Sequence, residues 1–260
     1  MFYNRYLKNV DLRNSRVCVG LDSDIEKISD KFGVNEEKIF NFNKYIIDST
    51  YENTNTYKLN IAFYEQIGYK GIKMMEKTVE YIKSTDTPII IDCKRGDIGN
   101  TAKAYAKYYF DHLQIDSITV NPYMGRDSLI PYLEFKDSHI FILSLTSNKS
   151  AQDLIIPNKL HIKTSKLANE LNRLFENRVG IVAGATQECI EDLDEITENE
   201  IYLIPGIGAQ GGDLKALIKS TYNKNILINS SRGIIFSEDP KKSLITLKNN
   251  INEEIDIYEK

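Results

Sequence analysis

Short apolar, β-branched runs recur along the chain and alternate with longer segments of helical period. The runs are Val17–Leu21, Tyr57–Ile61, Pro88–Ile91, Ser117–Val120, Ile140–Leu145, Val179–Val182, Ile201–Ile204 and Asn225–Ile228. Near-continuous apolar runs bounded by turn residues mark strands buried on both faces, as in parallel sheets. Amphipathic stretches at Gln66–Lys83, Asn100–His112, Lys163–Phe175, Glu188–Ile196 and Gly212–Ser220 predict helices between them, and a further helix closes the chain around Pro240–Ile255. Roughly eight βα repeats within 260 residues fit an α/β fold of one domain spanning 1–260, a (β/α)8 TIM barrel. An open doubly wound sheet is the rival arrangement.

In a barrel, ligands bind where the strands end at their C-terminal side. Polar residues gather there repeatedly: Asp22 after the first strand, Lys58 and Asn60 in the second, Asn121 after the fourth, Thr146-Ser147-Asn148 after the fifth, Gly184-Ala185-Thr186 after the sixth. A single strand-end Asp is ordinarily a cap or a turn former. The third strand is less ordinary. It runs into Asp92-Cys93-Lys94-Arg95-Gly96-Asp97. Side chains alternate along a strand, so Asp92 and Lys94 share a face and Cys93 points away. Charges at the end of a buried strand are costly unless paired with one another or with a ligand. A structural ion pair is the plain reading and a preorganised charge site the sharper one. The polar loop 146–158 is long enough to serve as a lid.

Composition narrows the picture. A hydrophobic fraction of 42% supports a large core, and no apolar run approaches a membrane span. Met1–Val10 has Arg5 and Lys8 but no apolar core segment, so no secretory signal is expected. Cys18, Cys93 and Cys189 are widely spaced without a CxxC, which reads as reduced thiols in a cytoplasmic protein and not as a disulfide frame or zinc site. His112, His139 and His161 are far apart and near no motif, and read as structural or surface residues. A net charge of −4 argues against a nucleic-acid surface and leaves capture of an anionic ligand to local groups.

Such groups occur late in the chain. Pro205-Gly206-Ile207-Gly208-Ala209-Gln210-Gly211-Gly212 follows the seventh strand, and Asn229-Ser230-Ser231-Arg232-Gly233 the eighth. Glycines let backbone amides approach an anion, Arg232 can bind phosphate bidentately, and loops seven and eight are the usual barrel phosphate site. Gly206, Gly208 and Gly211 also satisfy GxGxxG, but a dinucleotide site expects an acid about twenty residues on, where this chain has Asn229 and Arg232. A plain glycine-rich turn is the alternative without a ligand.

Together these segments resemble the orotidine 5′-phosphate decarboxylase family, in the branch shared by many bacteria and apicomplexan parasites. The D-x-K-x-x-D motif is complete at Asp92, Lys94 and Asp97 and continues through Ile98 and Thr101. With Lys58-Leu59-Asn60 and the Pro205–Gly212 segment, the likeness extends from Gly20-Leu21-Asp22 to Ser231-Arg232-Gly233. The resemblance implies cofactor-free decarboxylation of orotidine 5′-phosphate to UMP, in pyrimidine biosynthesis. It implies Lys94 beside pyrimidine C6 as the proton donor, Asp92 facing the departing carboxylate, and Lys58 and Asp22 on ribose hydroxyls. Thr146 and Ser147 would meet the pyrimidine, Gln210 and Arg232 the phosphate, and Asn60, Pro205 and Ser231 would line the substrate site. It further implies Ile98 in the substrate site and a homodimer in which Asp97 and Thr101 enter the partner's site. The loop reads Thr146-Ser147-Asn148-Lys149-Ser150, where many relatives have Pro or Gly after the Asn.

The chemistry explains the residue types. Loss of CO2 from C6 leaves an electron pair in an in-plane orbital that the ring delocalises poorly. A fixed cation in a dry site is the direct remedy, and an ammonium also carries a proton to deliver. Flanking carboxylates favour its charged form. Related sugar-phosphate barrels, 3-hexulose-6-phosphate synthase and 3-keto-gulonate-6-phosphate decarboxylase, share the motif but use Mg²⁺ held partly by an acid near the second strand. Here Lys58 and Asn60 stand in that region.

Overall fold

In the computed structural model, eight parallel strands close into a barrel in sequence order, β1 Val17–Gly20, β2 Thr56–Asn60, β3 Ile89–Arg95, β4 Ser117–Val120, β5 His139–Leu145, β6 Val179–Ala183, β7 Ile201–Pro205 and β8 Asn225–Ser230. The structure describes residues 1–185, 188–207 and 213–258. Every expected strand is present, and pairing of β1 with both β2 and β8 decides for the closed barrel over the open sheet.

Alternation sorts the strand residues into two sets. Val17, Val19, Tyr57, Leu59, Ile89, Ile91 and Ile118 pack in the large cluster between sheet and helices. Cys18, Ile90, Phe141, Val182, Leu203 and Leu227 form a second cluster with Phe2 and Tyr6. The helix Phe2–Arg13, for which the sequence pattern gives little sign, thus supplies two aromatic rings to the barrel's lower interior. Tyr6 donates its hydroxyl to the Ile226 carbonyl, so the buried ring leaves no orphan donor. Continuing the interior parity upward past Cys18, Thr56, Ile90 and Leu227 gives Gly20 and Asp22, Lys58 and Asn60, Asp92 and Lys94, and Asn229. The register agrees, setting Gly20 beside Lys58 and Asn60 beside Asp92.

The helices depart from the sequence pattern in instructive ways. The helix expected over Gln66–Lys83 is present as Tyr69–Lys83; Gly68 at φ 70° starts it, and a separate one-turn helix, Ala62–Glu65, precedes it. Asn100–His112 divides into an α-helix Gly99–Ala106 and a π-helical turn Lys107–His112. Glu188–Ile196 is not an α-helix; it forms 3-10 turns over Glu188–Leu193, interrupted at Cys189. The helix Glu37–Thr50 was not apparent from the pattern. The remaining α-helices among the described residues are Ile130–Leu133, Ala151–Leu154, Leu160–Leu174, Leu214–Thr221, Arg232–Ile235 and Pro240–Tyr258. Asp213 is a plain N-cap, accepting from the Lys215 and Ala216 amides. Among the described residues, no helix is long and apolar enough to cross a membrane.

Candidate active site

Two glycines admit the loops that shape the top of the barrel. A side chain at Gly20 would press on Ser231 Cβ at 2.8 Å and Asn229 Oδ1 at 3.1 Å. The end of β8 therefore closes onto β1, and Ser231 Oγ donates to the Gly20 carbonyl at 2.9 Å. At Gly184 an added Cβ would lie 2.6 Å from Ser147 Cα. The Thr146-Ser147 backbone thus packs directly on the β6 exit.

The cavity so formed has a volume of about 370 Å³ and is lined by polar groups on one side and Leu143, Val182, Leu203 and Pro205 on the other. Its charged wall centres on Asp92. Lys58 Nζ donates to Asp92 Oδ2 at 2.8 Å, and Lys94 Nζ donates to Asp92 Oδ1 at 2.6 Å. Thr119 Oγ1 donates to the same Oδ1 at 2.8 Å. Burial works to raise the Asp92 pKa, but the two ammonium groups outweigh it and hold the carboxyl well below the usual carboxylate range. Burial likewise disfavours a charged Lys58, and Asp92 with Asp22 overcomes it, raising the ammonium's pKa. Removing one member of such a buried pair costs about 3–5 kcal/mol, because the other is left uncompensated.

Lys94 differs from Lys58 in freedom. Lys58 is 5% exposed, whereas the Lys94 side chain is 52% exposed. β3 shifts register between Ile91 and Arg95, and Lys94 takes φ 45° in the bulge. A left-handed conformation costs a non-glycine residue roughly 1–2 kcal/mol. It is held by the Lys94 amide, which donates to Thr119 Oγ1 at 2.9 Å. The strand thus runs on past Ile91, where the apolar pattern stops, and carries Asp92 and Lys94 within its irregular end. Cys93 points away as expected and packs in the outer core.

Asp22, Asn60, Thr146, Ser147 and Pro205 all line the cavity with Lys58, Asp92 and Lys94. Among the described residues, Asp22 Oδ1 and Asn229 Oδ1 are buried without a hydrogen-bond partner. Two acceptors facing one cavity are a natural seat for hydroxyl donors. Asn60 Oδ1 also accepts from the Ala62 amide, fixing the turn that follows β2. Ser231 packs behind Gly20, and Arg232 is exposed in the first turn of Arg232–Ile235 with no ion pair among the described residues. Gln210 lies outside the described residues.

Asp97 does not join the charge cluster of its own chain. Its Oδ1 accepts from the Ile98 amide, and among the described residues it forms no ion pair. Ile98 is 51% exposed and Thr101 is exposed. Pattern reading missed Thr119 and the apolar wall of Leu143, Val182 and Leu203, and it took Asn229 only as part of the strand-end segment, not as a cavity-lining residue. The interior parity of β4 and β8 is the signal that would have found Thr119 and Asn229.

The chain as a whole has counterparts among known proteins. The family described as Orotidine 5'-phosphate decarboxylase / HUMPS matches residues 15–246. The chain belongs to this family. Its similarity to the orotidine 5'-phosphate decarboxylase of Phocaeicola vulgatus is 43% identity over 245 residues, 89% of this chain and 88% of the relative. With the enzyme of that name from Christiangramia forsetii it is 44%, over 87% of this chain and 86% of the relative. Among solved structures, one from Toxoplasma gondii, solved as an orotidine-monophosphate-decarboxylase, superposes with TM-score 0.91 at 32% identity, covering 97% of this chain and 96% of that one. The Leishmania donovani OMP decarboxylase gives TM-score 0.86 at 30% identity over 98% of each chain. The family membership, the barrel and its enzymatic character agree with the resemblance read from the motifs.

Proposed function

We propose that this member of the decarboxylase family converts orotidine 5′-phosphate to UMP without a cofactor, as a cytoplasmic enzyme of pyrimidine biosynthesis. The observation that carries the reading is the Asp92 carboxylate bonded to two lysines at the mouth of a half-apolar cavity. Lys94 is the exposed member and serves as the cation for a carbanion forming at C6. Its ammonium stabilises the developing charge and then gives up a proton to C6. Lys58, buried and fixed, keeps Asp92 ionised and balances it when Lys94 turns to substrate. Asp92 faces the departing carboxylate, and Asp22, with Lys58, accepts ribose hydroxyls. Thr146 and Ser147 meet the pyrimidine, and Gln210 and Arg232 take the phosphate, whose binding energy closes the site.

The exposed edge formed by Asp97, Ile98 and Thr101 enters the cavity of a second copy in a twofold dimer. Two features support this: Asp97 has no cationic partner in its own chain among the described residues, and Ile98 is an exposed aliphatic residue beside it. Purified protein given orotidine 5′-phosphate should show the ultraviolet change from orotate to uracil, with UMP as product. No turnover by folded dimer would overturn the reading.

The family also includes the HUMPS sugar-phosphate enzymes. A cation-assisted enediolate reaction would need the carboxylates at the cavity mouth for a divalent ion. Asp92 is already committed to Lys58 and Lys94, and a buried ammonium beside it repels a metal. Turnover after chelation with EDTA should therefore not rise on adding Mg²⁺. A restored Mg²⁺-dependent activity would move the assignment to that branch.

A further inference from the structure

Outside the cavity, the described residues contain one cluster of metal-ligating side chains. His161, Cys189 and Asp192 place one ligand atom each within 4.8 Å of one another. His161 lies in the first turn of Leu160–Leu174, and the other two lie in the 3-10 turns after β6. His161 and Asp192 line a cleft of about 700 Å³ that is also lined by Lys159, Glu191, Asp194 and Glu195.

The histidine is the informative member. His161 is 2% exposed, yet neither ring nitrogen has a hydrogen-bond partner among the described residues. A buried imidazole ordinarily satisfies at least one nitrogen. Nε2 stands 3.5 Å from Asp192 Oδ2, too far for a good N–H···O bond. That separation matches something else. Nitrogen and oxygen ligands at about 2.0–2.1 Å from a tetrahedral zinc stand roughly 3.3–3.4 Å apart. Imidazole, thiol and carboxylate together make a borderline-soft donor set that suits zinc better than magnesium or calcium.

The geometry points to a zinc site formed by His161 Nε2, Cys189 Sγ and Asp192 Oδ2, separate from the active cavity. On binding, the Cys189 thiol gives its proton to solvent and a sulfur–metal bond forms. Thiolate and carboxylate then neutralise the dication, and water takes the fourth position. Glu191 and Glu195 on the rim favour cation entry, against Lys159 on the same rim, while Asp194 is engaged by Lys224 at 2.8 Å. This assigns His161 and Cys189 a role that their isolation in sequence conceals.

The ion would join two loops that shape the cavity. The His161 carbonyl accepts from Ser144 Oγ of β5 at 2.9 Å, and the β6 exit at Gly184 packs against Ser147. Zinc would cross-link the β5 and β6 exits from outside.

Full-length protein, stripped with a chelator, should take up one Zn²⁺ per chain in competition with a chromophoric chelator. Co²⁺ should give tetrahedral visible bands and a thiolate charge-transfer band in the near ultraviolet. Cys18 and Cys93 do not confuse this signal, being buried with their thiols pushed up in pKa, Cys93 to about 11. Cys189→Ser should abolish the charge-transfer band, and Cys189→Ser and Asp192→Asn should each weaken zinc by at least ~10–100-fold, the cost of losing even an outer-shell partner. Circular dichroism checks that both fold, since Cys189 and Asp192 are not fully buried. Failure of folded wild-type protein to bind zinc, or an unchanged affinity and cobalt spectrum in Cys189→Ser, overturns the site.

Discussion

Thr119 is bonded to Asp92: its Oγ1 donates to Asp92 Oδ1 at 2.8 Å, and the same oxygen accepts the Lys94 amide at 2.9 Å. One hydroxyl thus holds the carboxylate that binds both lysines and the bulged backbone that carries one of them. Thr119→Val keeps the shape and removes the hydroxyl. A hydrogen bond to a charged group contributes about 1.5–3 kcal/mol, so kcat should fall roughly 10–100-fold with KM little changed. Thr119→Ser should restore most of it. If Val and Ser variants behave alike in steady-state kinetics, the hydroxyl has no positioning role.

The phosphate end offers a second test. Arg232→Ala should raise KM for orotidine 5′-phosphate and weaken UMP binding more than Gln210→Ala does, because a guanidinium–phosphate contact is charge-assisted and about twice as strong as a neutral one. Neither change should matter much for the nucleoside orotidine. Comparable losses for nucleoside and nucleotide would show that these side chains do not hold phosphate.

The proposed sharing of sites between subunits makes a quantitative prediction. Lys94→Ala and Asp97→Asn homodimers should each be nearly inactive. After subunit exchange in equal amounts, half the dimers are hybrids, and each hybrid has one site carrying both changes and one carrying neither. Activity should recover to roughly a quarter of wild type, measured after gel filtration confirms hybrid dimers. Confirmed hybrids without recovery would place Asp97 in its own chain's site.

His139 sets an acid limit on stability. It is fully buried beside Phe2 and Phe141, with Nδ1 3.0 Å from Ser117 Oγ. Burial, with Arg178 adding a smaller effect, lowers its pKa from 6.5 to about 3. Above the unfolded value both states hold a neutral ring. As pH falls from about 6.5 toward 3, only the unfolded chain takes up the proton, so stability declines by at most ~1.4 kcal/mol per pH unit from this group. Denaturant melts of His139→Gln should show a slope lower by close to one proton between pH 6 and 4. An unchanged slope would mean His139 titrates alike in both states.

Eight strand cores, the closing helix and the Asp92-Lys94 pairing on one face were legible in the chain because each depends on local periodicity or on neighbours two residues apart. So were Lys58, Asn60 and Asp22, since interior parity within each strand carries them to the same end of a barrel. The apolar pattern could not show that β3 continues through a bulge with Lys94 at positive φ, because Thr119, on the next strand, holds that backbone. Nor could it show Phe2 and Tyr6 entering the barrel, a placement set by the shape of a space that exists only once eight strands have closed. His161, Cys189 and Asp192 illustrate the same division. Cys189 and Asp192 follow His161 by about thirty residues in sequence, and only the docking of the β5 and β6 exits brings their donor atoms within reach of one ion.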